Sequence, residues 1–248
     1  MPTIERAGAA IYYEDHGDPS LPALLLLAPG GLNSTIDFWT RMPINPLEVF
    51  AGEYRLIGMD QRNAGVRSKG PLETGDPWRM YAEDQLSVLD HLGVDRTLVI
   101  GSCIGSSFIF ELLKLAPERI VAGVPMQPIG HDDSNDGVFG PDMWRPWGQN
   151  LIDHGASFTL DDVDAFGHGL FDSGFVFTAT REDLKSFHTP LLLMYGDDRA
   201  HPRGVSVEVG KLLPKAEIIE EWKSEAVVPQ VIEQMRAFLQ GHRLVSAR

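Results

Sequence analysis

Short apolar runs alternate with amphipathic stretches along most of this chain. Residues 9–15 (AAIYYED), 22–28 (PALLLLA), 55–60 (RLIGMD), 96–101 (RTLVIG), 120–127 (IVAGVPMQ), 190–195 (PLLLMY) and 216–220 (AEIIE) each have strand length and strand composition. Most are apolar at every position rather than at every second one, the pattern of strands covered on both faces. Between them the period changes. Ala82, Leu86, Leu89 and Leu92 fall on one helical face, as do Phe108, Leu112 and Leu115, and later Val231, Met235, Phe238 and Leu239. Strands alternating with helices predict an α/β fold, a mostly parallel sheet flanked by helices.

The alternation breaks between 131 and 186. That stretch opens with HDDSNDGVFGPDMWRPWGQN, is rich in Gly, Asp, Trp and Phe, and has no clean strand. It reads as a cap inserted into a single domain whose core is 1–130 and 187–248. If its aromatic residues Trp144, Trp147, Phe158, Phe166, Phe171, Phe175 and Phe177 face the sheet, they line an apolar pocket; those that do not form the core of the cap.

Composition narrows the range of partners. With 248 residues, 43% of them apolar, the chain can bury a substantial core, and its 35 acidic against 21 basic residues give a formal charge of −14. That balance, with no local cluster of Lys or Arg, opposes nucleic-acid phosphates and anionic membrane surfaces, so a small-molecule partner is expected. The start MPTIERAGAA carries charges where a signal peptide needs its apolar centre. The longest apolar run, LPALLLLAP, is far short of the roughly 18–20 residues that cross a bilayer. A soluble, cytoplasmic protein is the expectation. No phosphate-binding glycine loop and no cluster of metal ligands is found, so neither cofactor nor metal is expected.

One cysteine is present, and it cannot form an internal disulfide. It lies in VIGSCIGSS, residues 99–107, where a predicted strand passes directly into a predicted helix. GSCIG matches G-x-nucleophile-x-G: small flanking residues let the chain turn sharply, so the middle side chain stands above the sheet at a helix N-terminus. A buried free cysteine is otherwise only a small hydrophobe.

On these residues the chain resembles the α/β-hydrolase superfamily over nearly its whole length. APGGLNST after the strand LLLL resembles the oxyanion-hole loop, with Pro29 where many members carry His. MDQRNAGVRS (59–68) is similar to the D-x-R-G-x-G-x-S turn, with Asn63 in place of its first glycine, an exchange asparagine tolerates because it can adopt a left-handed conformation. Asp60, Gln61 and Arg62 then brace neighbouring loops. LLLMYGDDRAHP (191–202) is similar to the strand and loop that deliver the triad acid, with Asp198 four residues before Pro202. The resemblance implies Cys103 as nucleophile, Asp198 as orienting acid, and backbone N–H groups of Gly31 and Ile104 as oxyanion donors.

The family's histidine is missing from its usual place. That loop falls within EEWKSEAVV (220–228), which carries Trp222 and Lys223, and no His occurs between His201 and His242. His201, three residues after Asp198, is the preferred substitute. His131, His154, His168 and His188 belong to or border the cap and read as surface or packing; His16 and His91 read as structural; Lys223 as a base would need burial. A thiol, unlike a hydroxyl, can be activated by a helix N-terminus alone. Release of an acyl group by water still needs a base. The expected function is cofactor-free hydrolysis of a small ester, lactone or thioester through Cys103. The alternative is a catalytically silent relative that binds a small ligand or a partner.

Overall fold

The computed structural model describes residues 1–243. Eight strands form one sheet: β1 Thr3–Arg6, β2 Ala9–His16, β3 Ala23–Leu27, β4 Arg55–Met59, β5 Thr97–Ser102, β6 Ile120–Met126, β7 Leu191–Met194 and β8 Ala216–Ile219. Their order is β1-β2-β4-β3-β5-β6-β7-β8, antiparallel at the two β1-β2 and β2-β4 junctions and parallel from β4 onwards. The helices are α1 Pro46–Val49, α2 Pro77–His91, α3 Ile104–Leu115, α4 Pro141–Asp153, α5 Leu160–Phe171, α6 Arg181–Ser186, α7 Arg203–Leu212 and α8 Val228–His242. Strand alternation divides β3 between two cores. Leu25 and Leu27 join the cluster under α2, α3 and α7, while Leu24 and Leu26 join the one under α8. Each such leucine, withdrawn from water, contributes about 1.5–3 kcal/mol.

All seven strands expected from the apolar runs are present. The sequence reading missed β1, which pairs with β2 from Thr3 opposite Tyr12 to Arg6 opposite Ala9 and buries only Ile4. It also missed α7. Pro202 forms its N-cap, and its buried residues Val205, Ser206 and Val209 include a polar one, which dilutes the apolar stripe. Between β6 and β7 lie α4, α5 and α6, with no strand. Thr159 and Thr180 start α5 and α6 through capping boxes with Asp162 and Asp183.

The aromatic residues of 131–186 pack chiefly on one another and on α2. Trp144 stacks on Phe171, Trp147 on Phe166, and Phe171 meets Trp78 of α2 edge-on. Phe158 packs half-buried on the margin of the same cluster and lines a groove of about 680 Å³ between the 63–71 turn and the α4–α5 connection. Trp147 fastens α4 to that turn by donating from Nε1 to the carbonyl of Asn63 at 3.1 Å.

The turn after β4 is a brace, as its residues suggested. Arg62 and Asp84 of α2 form a bidentate pair with almost no exposure, Nε to Oδ2 at 2.9 Å and Nη2 to Oδ1 at 2.7 Å. Buried Asp60 accepts the N–H of Ile36 at 2.9 Å and Nη2 of Arg67 at 2.8 Å, which ties this turn to the loop after β3. Asn63 takes φ 61°, and its amide exchanges two hydrogen bonds with the backbone of Gly70 at 2.9 and 3.0 Å.

Candidate active site

β5 is a central strand, flanked by β3 and β6, and its last residue runs straight into a turn that places Cys103 at the N-cap of α3. Cys103 has φ 59° and ψ −120°, a conformation that costs a side-chain-bearing residue of order 1–3 kcal/mol and is held here by its surroundings. Its own N–H donates to the Met126 carbonyl at 3.0 Å, and Ser106 Oγ donates to the same carbonyl at 2.8 Å.

The flanking glycines have separate steric reasons. A Cβ on Gly101 would stand 2.3 Å from the Gly105 carbonyl oxygen, and one on Gly105 would stand 2.2 Å from that of Leu27. Both contacts are with backbone, which cannot step aside. Gly105→Ala should therefore lower stability by about 1–3 kcal/mol or more, read as a shift of the urea midpoint. An unchanged midpoint would mean that α3 can move away from β3 at little cost.

The loop after β7 brings a carboxylate and an imidazole to the thiol. Asp198 accepts the backbone N–H groups of Ala200 and His201 at 2.9 and 3.0 Å, a tight turn that presents the His201 ring to its own carboxylate. Nδ1 of His201 lies 2.8 and 2.9 Å from the two Asp198 oxygens and must donate, because a carboxylate only accepts. That assigns the Nε2 lone pair to the side facing Cys103. Nε2 is buried and has no other hydrogen-bond partner among the described residues, and the thiol of Cys103 is the group whose charge and hydrogen-bonding capacity bear on the ring from that side.

Gly196 permits this arrangement, since a Cβ there would meet the His201 carbonyl oxygen at 2.3 Å and its Cβ at 2.5 Å. Trp222, on the loop after β8, is buried and donates from Nε1 to the Tyr195 carbonyl at 2.8 Å, fixing the base of the His201 loop.

The electrostatics follow from this placement. Burial opposes ionisation of Cys103, yet its hydrogen-bonding and charge interaction with His201, helped by the N–H groups of Ile104 and Gly30, hold the thiol below its ordinary value. The residue keeps a partly exposed edge while its sulfur is desolvated. For His201 burial disfavours the cation, but Cys103 and Asp198 together outweigh it and raise the imidazole above its usual range. Burial likewise disfavours the Asp198 anion, and His201, with help from Lys223, draws that carboxyl below its usual range. Each member thus favours the charged form of its neighbour.

Of the residues singled out in the sequence, Cys103, His201 and Asp198 come together. Ile104 presents its N–H to the sulfur, as does Gly30; Gly31 follows with φ 57° and opens the short turn Gly31–Asn33. Gly30 was overlooked because its signal is its backbone conformation, φ 121°. The other histidines are engaged elsewhere. His131 donates from Nε2 to the Phe171 carbonyl at 2.9 Å and packs on Phe177, His154 donates from Nδ1 to the Asn150 carbonyl, and His168 pairs with Asp172. His91 meets the Tyr13 hydroxyl, His16 meets Glu14, and His188 is exposed. Lys223 is not a buried amine; it is ion-paired with Asp197 and Asp198.

The segment after α5 crosses the first turn of α3. Thr178 Oγ1 donates to the Ser107 carbonyl at 3.1 Å. No group of three or more His, Cys, Asp or Glu side chains disposed to hold a metal ion occurs among the described residues. No helix among them is long and apolar enough to cross a membrane.

Comparison with known proteins adds the family. Carboxylesterase YbfK of Bacillus subtilis (strain 168) is 24% identical over 234 residues, covering 82% of this chain and 74% of its own. The solved meta-cleavage product hydrolase of Pseudomonas fluorescens IP01 superposes with a TM-score of 0.70 at 18% identity over 97% of this chain and 98% of its own. Est816, described as an N-acyl homoserine lactone degrading enzyme, superposes with a TM-score of 0.65 at 22% identity over 96% of this chain and 100% of its own. Those two likenesses speak for the fold. A family model described as the alpha/beta hydrolase fold matches residues 23–163, more than half of the sequence. With that match, the sheet order and the strand-turn-helix at Cys103, the chain belongs to the alpha/beta hydrolase fold family.

Proposed function

We propose that this protein is a cofactor-free hydrolase of small esters, lactones or thioesters, with Cys103 as nucleophile, His201 as base and Asp198 as the acid that orients the base. The observation that carries this reading is the single loop on which Asp198 holds Nδ1 of His201 while Nε2 faces the thiol. Relatives described as a carboxylesterase and a lactone-degrading enzyme support the same class of bond.

In the first half-reaction the Cys103 proton passes to Nε2 of His201, and the thiolate adds to the carbonyl carbon. The carbonyl π electrons move to oxygen, and the oxyanion is received by the N–H of Ile104 and the Gly30–Gly31 turn. Each well-placed donor is worth roughly 3 kcal/mol in such a site. The oxyanion then collapses, the bond to the leaving oxygen or sulfur breaks, and His201 returns its proton to the leaving group. In the second half His201 takes a proton from water, hydroxide adds to the thioester, and the acid departs as the proton returns to sulfur. Residues 131–186 act as a cap over this site, with the 175–178 segment as the part next to the first turn of α3.

The test is covalent capture. The protein mixed with an activated aryl ester and quenched within the first turnover should carry one acyl group, located by peptide mass spectrometry on the fragment containing Cys103. Acylation elsewhere, or none alongside turnover, would remove the thiol from the reaction.

A further inference from the structure

Lys223 occupies the loop after β8, and its ammonium lies between two carboxylates of the loop after β7. It pairs closely with Asp197 and stands 3.6 Å from Oδ2 of Asp198. The lysine is held from behind as well as in front: it lies against the ring of its neighbour Trp222, 5.4 Å from the centroid, and that ring is buried and bonded to Tyr195. Its side chain is only 28% exposed, so solvent screens the contact incompletely.

The other charges around this loop are committed elsewhere. On the loop itself, Arg199 turns away and donates to the Asp136 carbonyl at 3.1 Å. On α7, Arg203 pairs with Glu220 and, at 3.6 Å, with Glu221 of the loop after β8. From the segment after β6, Asp132 packs against Gly204 at the start of α7 and accepts the N–H of Ser134. From the elbow, Cys103 faces the far side of His201. Among the described residues Lys223 is therefore the cation that bears on Asp197 and Asp198 together.

We propose that Lys223 is a positioning residue for the His201–Asp198 pair: it holds Asp198 in register with Nδ1 and cancels the charge of Asp197, which would otherwise add to that of Asp198 beside the imidazole. The consequence rests on electrostatics of the free protein, while its bearing on turnover rests on the function proposed above. With Lys223 removed, two neighbouring carboxylates act on the imidazole without a countercharge. The imidazolium becomes more stable, and His201 holds its proton to higher pH. A base that holds its proton longer is available over less of the neutral range.

The test is a titration of the His201 imidazole by NMR in Cys103→Ala protein, where the thiol no longer couples to the ring. Adding Lys223→Met should raise the His201 midpoint by about 0.5–1 pH unit, as should Lys223→Gln, while Lys223→Arg should leave it within about 0.2. In otherwise unaltered protein, Lys223→Met should move the acid limb of kcat upward by the same amount with KM little changed. Equal midpoints with and without the lysine charge would overturn the proposal, whatever the protein hydrolyses. Loss of the hydrolytic reading would appear separately, as turnover that survives Cys103→Ala.

Discussion

Cys103→Ala should lower turnover of activated esters by about 10³-fold or more, to the level the oxyanion donors and substrate binding sustain without a nucleophile. The thermal midpoint should move by only a few degrees. The two expectations separate because the thiol adds little packing: the residue is partly exposed, and it lies at the edge of the larger core cluster. Alanine also inherits the same backbone at φ 59°, so the strain of the turn is unchanged. What is lost is the one side chain that combines a polarisable nucleophile, a helix N-terminus beneath it and an imidazole beside it. Turnover measured on aryl esters, lactones and thioesters, together with a melting curve, checks both halves. Full activity in the variant would remove the thiol from the mechanism and leave only the fold.

The elbow was legible in the sequence because its requirements are local. Gly101 and Gly105 are fixed by backbone contacts with Gly105 and Leu27, and they join the apolar run Leu98–Ile100 to a helix with Phe108, Ile109, Leu112 and Leu113 on its buried side. The loop after β7 was legible in part. Asp198 and His201 are three residues apart, so a single turn brings them together, and the absence of histidine from residues 202–241 directed attention there. The role of Lys223 was not legible. Its partners are 26 and 25 residues away and meet it only because β7 and β8 are neighbouring strands that end at the same edge. The stretch 131–186 was hardest to read for a related reason. Its aromatic residues are needed to bury one another whether or not they also face a ligand, and pattern alone does not distinguish the two.

His201→Ala should give a different defect from that of Cys103→Ala. The thiol survives, so an activated ester with a good leaving group should still acylate it, but the acyl-enzyme should persist because no neighbouring base activates water. A burst of one equivalent followed by a steady rate lower by about 10²–10⁴-fold is expected. The pH dependence of alkylation by iodoacetamide should change as well. In the unaltered protein His201 is the main influence opposing the burial cost of the thiolate. Ionised sulfur is therefore available below the ordinary thiol value of about 8.5, and the labelling midpoint lies below that pH. With the imidazole gone, burial is opposed only by the N–H groups of Ile104 and Gly30, so the labelling midpoint should rise to the ordinary value or above. The acid limb of kcat has its own sign. In the acyl-enzyme the sulfur carries no charge, so His201 loses the part of its raised value that Cys103 supplies and keeps the part from Asp198. The acid limb of kcat should consequently lie below the imidazole midpoint of the free enzyme, and rapid-quench measurement across pH would show it. If His201→Ala instead turned over without a burst and labelled at the same pH as before, the base would have to be sought among groups the structure places away from the thiol.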